Sequence, residues 1–280
     1  MTGQEPERSV NRRSRRRLIA AAAVVVLVGV GAAGVALWRG SGAHEASTRD
    51  AERRFAQSPS TQPPVPSVLR PAAGVYLYRG SGTEHLSLPP KSQSQGPTMP
   101  ATVIDRADGC WTFRIDYSTA HWQTWIYCPR GGGLVELGGQ TFERWDFVVT
   151  KYDSTSIFSC KPASVAIRAT MHSGDHWQQT CTGTSSGTKG IASTSGPYTF
   201  VGTERVDVGG TAVAAYHFHQ VRTLGGSQTG TQDTQLWFAV KDGLPLRNER
   251  TETVHTDTPI GRSTYTEHGD FELTSLVPKR

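Results

Sequence analysis

The stretch CWTFRIDYSTAHWQTWIYC, Cys110 to Cys128, constrains the fold more than any other. A turn near Thr119 would fold it into a hairpin in which opposed residue numbers sum to 238. Cys110 then faces Cys128, Thr112 faces Ile126 and Arg114 faces Thr124. Side chains alternate between the two faces of a strand. The other face therefore pairs Trp111 with Tyr127, Phe113 with Trp125, Ile115 with Gln123 and Tyr117 with His121. One face is mostly aromatic and the other carries the cysteines. Directly opposed residues sit ~4.5–5.5 Å apart, within reach of a disulfide. A crosslink over a loop of this size stabilises by roughly 3 kcal/mol in the chain-entropy model. Cys160 and Cys181 enclose a similar loop and form the second expected pair by elimination, although the sequence leaves the crossed pairings open.

The same texture runs from Gly74 to the C-terminus. GVYLYRG, ATVID, WDFVVTKYD, AAYHFHQVRT, TQLWFAVKDG and RSTYTEHGDFELTSL cluster or alternate β-branched and aromatic residues between Gly, Ser, Thr and Pro. This is a mainly β pattern, and no long helical periodicity competes with it. GVYLYRGSGTEHLSL (74–88) and GPYTFVGTERVDV (196–208) echo each other, as a duplicated strand pair or as convergent strand composition.

Residues 18–38, LIAAAAVVVLVGVGAAGVALW, contain no charge and are long enough to span a bilayer core of ~30 Å as a helix. Arg12 to Arg17 holds five arginines on one flank, which orients the N-terminus to the cytoplasm and the remainder outward. A cleaved signal peptide, with a cleavage site at Ser41-Gly42-Ala43, is the rival reading, but its apolar core would be only ~7–15 residues. The expected organisation is a basic cytoplasmic tail (1–17), a transmembrane helix (18–38), a Pro/Ser-rich linker (39–70) with a short helix at STRDAERRFAQ, and a β-rich extracytoplasmic domain (71–280).

The net charge of +5 belongs mostly to the tail, where six Arg face two Glu; the other residues hold 23 basic against 22 acidic groups. A nucleic-acid surface needs its basic excess on the folded domain, so nucleic acid is not an expected partner, whereas the cell membrane is. All four cysteines lie beyond the apolar run, as suits an oxidising compartment, and none has CxxC spacing.

Motif matches fail on context. GVGAAG (29–34) lies within the apolar run, with no strand before it to make a dinucleotide site. GTSSG (183–187) sits in a polar loop rather than at a strand–helix elbow. His217 and His219, like His172, Asp175 and His176, lack the partner spacing of a metal motif, so no metal site and no cofactor is expected. No paired carboxylates or Ser/His/Asp set can be singled out among 12 Asp and 12 Glu, which argues against an enzyme.

The C-terminal third carries a resemblance. A strand bearing Trp237-Phe238, the turn Asp242-Gly-Leu-Pro-Leu-Arg247 and a polar strand resemble the bacterial lipoprotein-carrier (LolA/LolB-like) half-barrels. The chain as a whole resembles membrane-anchored secreted proteins of GC-rich Gram-positive bacteria, which suits its 23 Arg to 6 Lys. The resemblance implies a curved antiparallel sheet or half-barrel around an apolar cavity. Alternation places Ala212, Ala214, Tyr216 and Phe218 on one face, and Thr234, Leu236, Phe238 and Val240 on another. Ala214, Tyr216, Phe218, Leu236 and Phe238 are the expected contacts for an apolar ligand. The alternative partner is another envelope protein, docked on an exposed sheet face.

Overall fold

A computed structural model describes residues 42–58, 69–147, 150–258 and 260–280. Helix α1 (Thr48–Gln57) precedes strands β1 (Gly74–Ser87), β2 (Pro90–Gln95), β3 (Thr98–Asp105), β4 (Trp111–Asp116) and β5 (His121–Arg130). Then follow β6 (Gly133–Asp146), β7 (Lys151–Ile167), β8 (His176–Ser185), β9 (Ala192–Val208), β10 (Thr211–Gly226), β11 (Thr229–Ala239), β12 (Pro245–Thr258) and β13 (Gly261–Leu273).

Consecutive strands pair throughout, as short polar turns dictate. The exception is β1, whose residues 74–79 pair with β3 and residues 82–87 with β2, so β2 and β3 lie end to end along one edge. Its other edge pairs with β13, from Tyr78↔Leu273 to Leu86↔Tyr265. This pairing closes the sheet. The mainly β antiparallel expectation holds, but the expected half-barrel is instead a closed barrel of twelve strands, β1 and β3 to β13. Closure removes the two free edges that an open sheet would leave unpaired.

Eight strands already give an interior that side chains can fill, so twelve demand large ones. The interior accordingly holds Tyr78, Trp111, Phe113, Tyr127, Phe218, Phe238 and Phe271, all buried. Rings from distant strands meet: Tyr127 lies 6.0 Å from Phe238 and Tyr117 lies 6.0 Å from Phe271. The echoed pairs Tyr76/Tyr78 and Tyr198/Phe200 are buried in β1 and β9 alike.

The β4–β5 hairpin has the register that its sequence dictates, from Trp111↔Tyr127 to Asp116↔Trp122. Both expected disulfides are present, Cys110–Cys128 with Cα atoms 4.2 Å apart and Cys160–Cys181 at 4.1 Å.

Part of the expected linker packs on the barrel. Ser47 caps α1, Ala51 is fully buried, and Arg54 pairs with Asp116. Main-chain and side-chain groups of His44 and Thr119 exchange hydrogen bonds of 2.8 and 3.0 Å. Among the described residues no helix is long and apolar enough to cross a membrane, and residues 18–38 lie outside them.

Candidate functional site: a buried acidic belt

Above the aromatic part of the lumen the interior turns polar. Strand register puts Glu252 opposite Glu267, and Glu267 opposite Glu84, so β12, β13 and β1 place three glutamates side by side on one rung. On β5 and β6, His121 stands opposite Glu143. Like charges directly opposed across strands are destabilising. The row therefore needs partners.

Some partners are supplied. His121 Nδ1 donates to Glu84 Oε1 at 2.5 Å, and Gln93 Nε2 donates to Glu84 Oε2 at 2.6 Å. Gln95 Nε2 donates to both Glu84 Oε1 (2.6 Å) and Glu267 Oε1 (2.7 Å). Arg250 pairs with Glu267 and donates to Gln123 Oε1 at 2.6 Å, while the Tyr265 hydroxyl donates to Glu267 Oε2 at 3.0 Å. Glu84, His121, Arg250 and Glu267 are all buried. Two atoms of this network have no partner among the described residues, His121 Nε2 and Arg250 Nε.

Others are left over. The carboxylates of Glu143 and Glu252 form no hydrogen bond or ion pair among the described residues. Both residues are half-buried. Burial, reinforced by Glu84, Glu267 and Glu252, pushes the Glu143 carboxyl up to about 7 against the opposing pull of His121. Burial likewise raises Glu252 to about 7, with Glu267 adding to the rise while Arg250, His121 and Arg222 oppose it. Burial also opposes charge on His121 and Glu267, but here the partners win. Glu84, Glu267 and Glu143 hold the imidazolium up at about 9, and Arg250 with His121 holds Glu267 down at about 2.

A pair of glycines makes room for the belt. Gly82 and Gly269 face each other across the β1–β13 seam, and a Cβ on either would strike the Gln95 carboxamide. Gln95 lies in that gap and reaches both carboxylates. A further buried carboxylate, Glu136, is raised by burial and has Arg222 at 3.9 Å.

The expected apolar contacts are only partly assembled. Phe218 and Phe238 do meet, with centroids 6.1 Å apart, and Phe218 also packs on Trp177, Tyr198 and Phe200. Tyr216 and Leu236 are half-buried against the same core. Ala214 is exposed and does not join them; Ala215 is buried instead. Strict alternation fails because the β9–β10 register shifts between His217 and Phe218. His217 stacks on Trp237 at 4.3 Å and bonds Gln235 at 2.8 Å, whereas His219 bonds Asp233 at 3.0 Å.

No protein-family model matches the chain, and no curated protein matches it. Among solved structures, the hypothetical lipoprotein YmcC from Escherichia coli K12 is similar over 82% of this chain and 98% of that one, at 10% identity and a TM-score of 0.31. Likeness of this degree is too weak to bear on fold or function.

The acidic belt had no motif to announce it, since its members come from five strands. One signal was present: in the β4–β5 hairpin, His121 and Gln123 fall on the aromatic face, where polar residues are out of place.

Proposed function

We propose that this chain is a membrane-tethered, extracytoplasmic binding protein of the cell envelope that takes its ligand into the barrel lumen. The observation that carries the reading is the rung of Glu252, Glu267 and Glu84, with Glu143 and Glu252 left without partners among the described residues. Replacing buried charges by well-packed apolar residues is often neutral or stabilising. A wall that keeps four such carboxylates is built for something other than stability. Buried groups with perturbed titration and few partners are a recurrent mark of a binding or reaction site. The tether is the apolar run 18–38 with its arginine flank, and two disulfides suit an oxidising compartment.

The resemblance to lipoprotein carriers and to anchored secreted proteins of GC-rich Gram-positive bacteria belongs to the same proposal. Its apolar-ligand version, at Ala214, Tyr216, Phe218, Leu236 and Phe238, is the second reading. Ring-to-ring packing of Phe218 and Phe238 and the exposure of Ala214 weigh against it.

Native mass spectrometry of the full-length chain released from detergent tests the reading. The expected result is a bound species that is lost from the Glu143→Gln/Glu252→Gln variant. A wild-type spectrum without any ligand, alongside capture of a specific envelope protein, would replace it with an interaction module. For topology, a reporter fused after Arg280 should be active only outside the cytoplasm; activity inside would overturn the tether.

A further inference from the structure

We infer that the lumen holds a divalent transition-metal ion, ligated by Glu84, His121 and Glu267. The inference deepens the lumen-binding reading and rests on it. One ligand atom from each of the three residues lies within 4.8 Å of the other two. The point where they converge is marked by Gln95 Nε2, which stands 2.6 Å from Glu84 Oε1, 2.7 Å from Glu267 Oε1 and 3.3 Å from His121 Nδ1. An amide NH2 there presents partial positive charge to two carboxylates and an imidazole. A metal ion presents far more.

An imidazole with two carboxylates suits zinc and its divalent neighbours, with water completing the shell. Metal–ligand bonds of ~2.0–2.2 Å imply ligand atoms ~3.3 Å apart in a tetrahedral site. Once the Gln95 amide swings aside, ligand atoms within 4.8 Å of one another must adjust toward that spacing, and His121 Nδ1 and Glu84 Oε1, now 2.5 Å apart, must separate to admit the ion. The outer oxygens are already held, Glu84 Oε2 by Gln93 and Glu267 Oε2 by Tyr265, while Arg250 shares Glu267 Oε1 with the ion. Such outer contacts fix ligand geometry at metal sites.

Charge balance points the same way. The belt holds four carboxyl groups, Glu84, Glu143, Glu252 and Glu267, against the two basic groups Arg250 and His121, and Glu143 and Glu252, at about 7, are only part-ionised at neutral pH. On binding, His121 gives up its proton to solvent and coordinates as the neutral ring. The ion's two charges then replace that lost charge and offset one carboxylate more.

The test uses full-length protein in detergent, stripped with a chelator and titrated with Zn2+ alone by calorimetry, with bound metal counted by elemental analysis. The expected result is one equivalent per chain. His121→Ala and Glu267→Gln should weaken binding by 100-fold or more, while Gln95→Ala, which clears the focal point, should bind at least as tightly as wild type. Circular dichroism checks that each variant folds. If His121→Ala does not fold, Co2+ spectroscopy of wild type decides, because one nitrogen and several oxygen ligands give a characteristic visible spectrum. Failure of wild type to bind Zn2+ or Co2+, or full binding by folded His121→Ala, overturns the inference. A non-metal ligand co-purifying with wild type in that case would leave the lumen-binding reading standing; no ligand of either kind would end both.

Discussion

Single residues in the belt make stability depend on pH in an unusual direction. Glu143 faces His121, Glu84, Glu267 and Glu252; Glu252 faces Arg250, Glu267, His121 and Arg222. Both carboxyls sit at about 7 in the folded chain, above the ordinary value of 4.5 that the unfolded chain restores. A raised carboxyl binds more protons folded than unfolded, so its contribution is complete below the unfolded value and is lost as pH rises through the folded one. Metal-free protein should therefore lose stability between about pH 5 and pH 8 in urea unfolding. Glu143→Gln/Glu252→Gln should flatten that fall; an unchanged slope would mean that neither group titrates as described. Arg250 makes the opposite case. Its removal strands Glu267, so Arg250→Ala should cost on the order of 3–5 kcal/mol. Adding Glu267→Gln should recover much of the loss, and a purely additive double mutant would refute the coupling. None of this was legible in the sequence, where Glu84, Glu252 and Glu267 are three acids among 24. Only register makes them neighbours.

At the scale of elements, legibility followed locality. The β4–β5 hairpin was readable to the residue because a tight turn, two cysteines and an aromatic face all specify one register. Helix α1 was readable too, with Ser47 as cap and Asp50 in its first turn. What was missed there is that it docks on the barrel, because Arg54–Asp116 joins residues 62 positions apart. The β10 face was misread since a bulge breaks period-two counting, and nothing in AVAAYHFHQV marks where it falls. Two alanine substitutions separate the readings. Ala214→Trp should be tolerated within about 0.5 kcal/mol, as exposed changes usually are. Ala215→Trp forces a large ring into a fully buried site and should cost at least about 1–3 kcal/mol. Thermal melts of the two variants suffice. Equal effects, or the reverse order, would restore simple alternation.

The whole molecule hangs on one pairing that no local pattern foretold. An open curved sheet and a closed barrel share the same strands, turns and alternation; they differ in whether β1 meets β13, some 190 residues away in the chain. Closure joins Glu84 to Glu267 and makes the gap at Gly82 and Gly269 in which Gln95 lies. The fold and the site therefore depend on the same seam. Gly80 is its most exacting position. It faces Phe271, and any Cβ there would collide with the main chain of Asp270, which cannot swing away as a side chain can. Gly80→Val should therefore part the upper seam. Three changes are expected together: faster amide exchange along β1 and β13, an altered His121 titration, and loss of lumen binding. The β4–β5 hairpin with its disulfide should stay protected, since neither its register nor its crosslink runs through the seam. Hydrogen exchange resolved by peptide distinguishes this from global unfolding. Uniform deprotection of all strands would show that closure and core form one cooperative unit. Unchanged exchange in β1 and β13 would show that the seam does not hold the barrel shut.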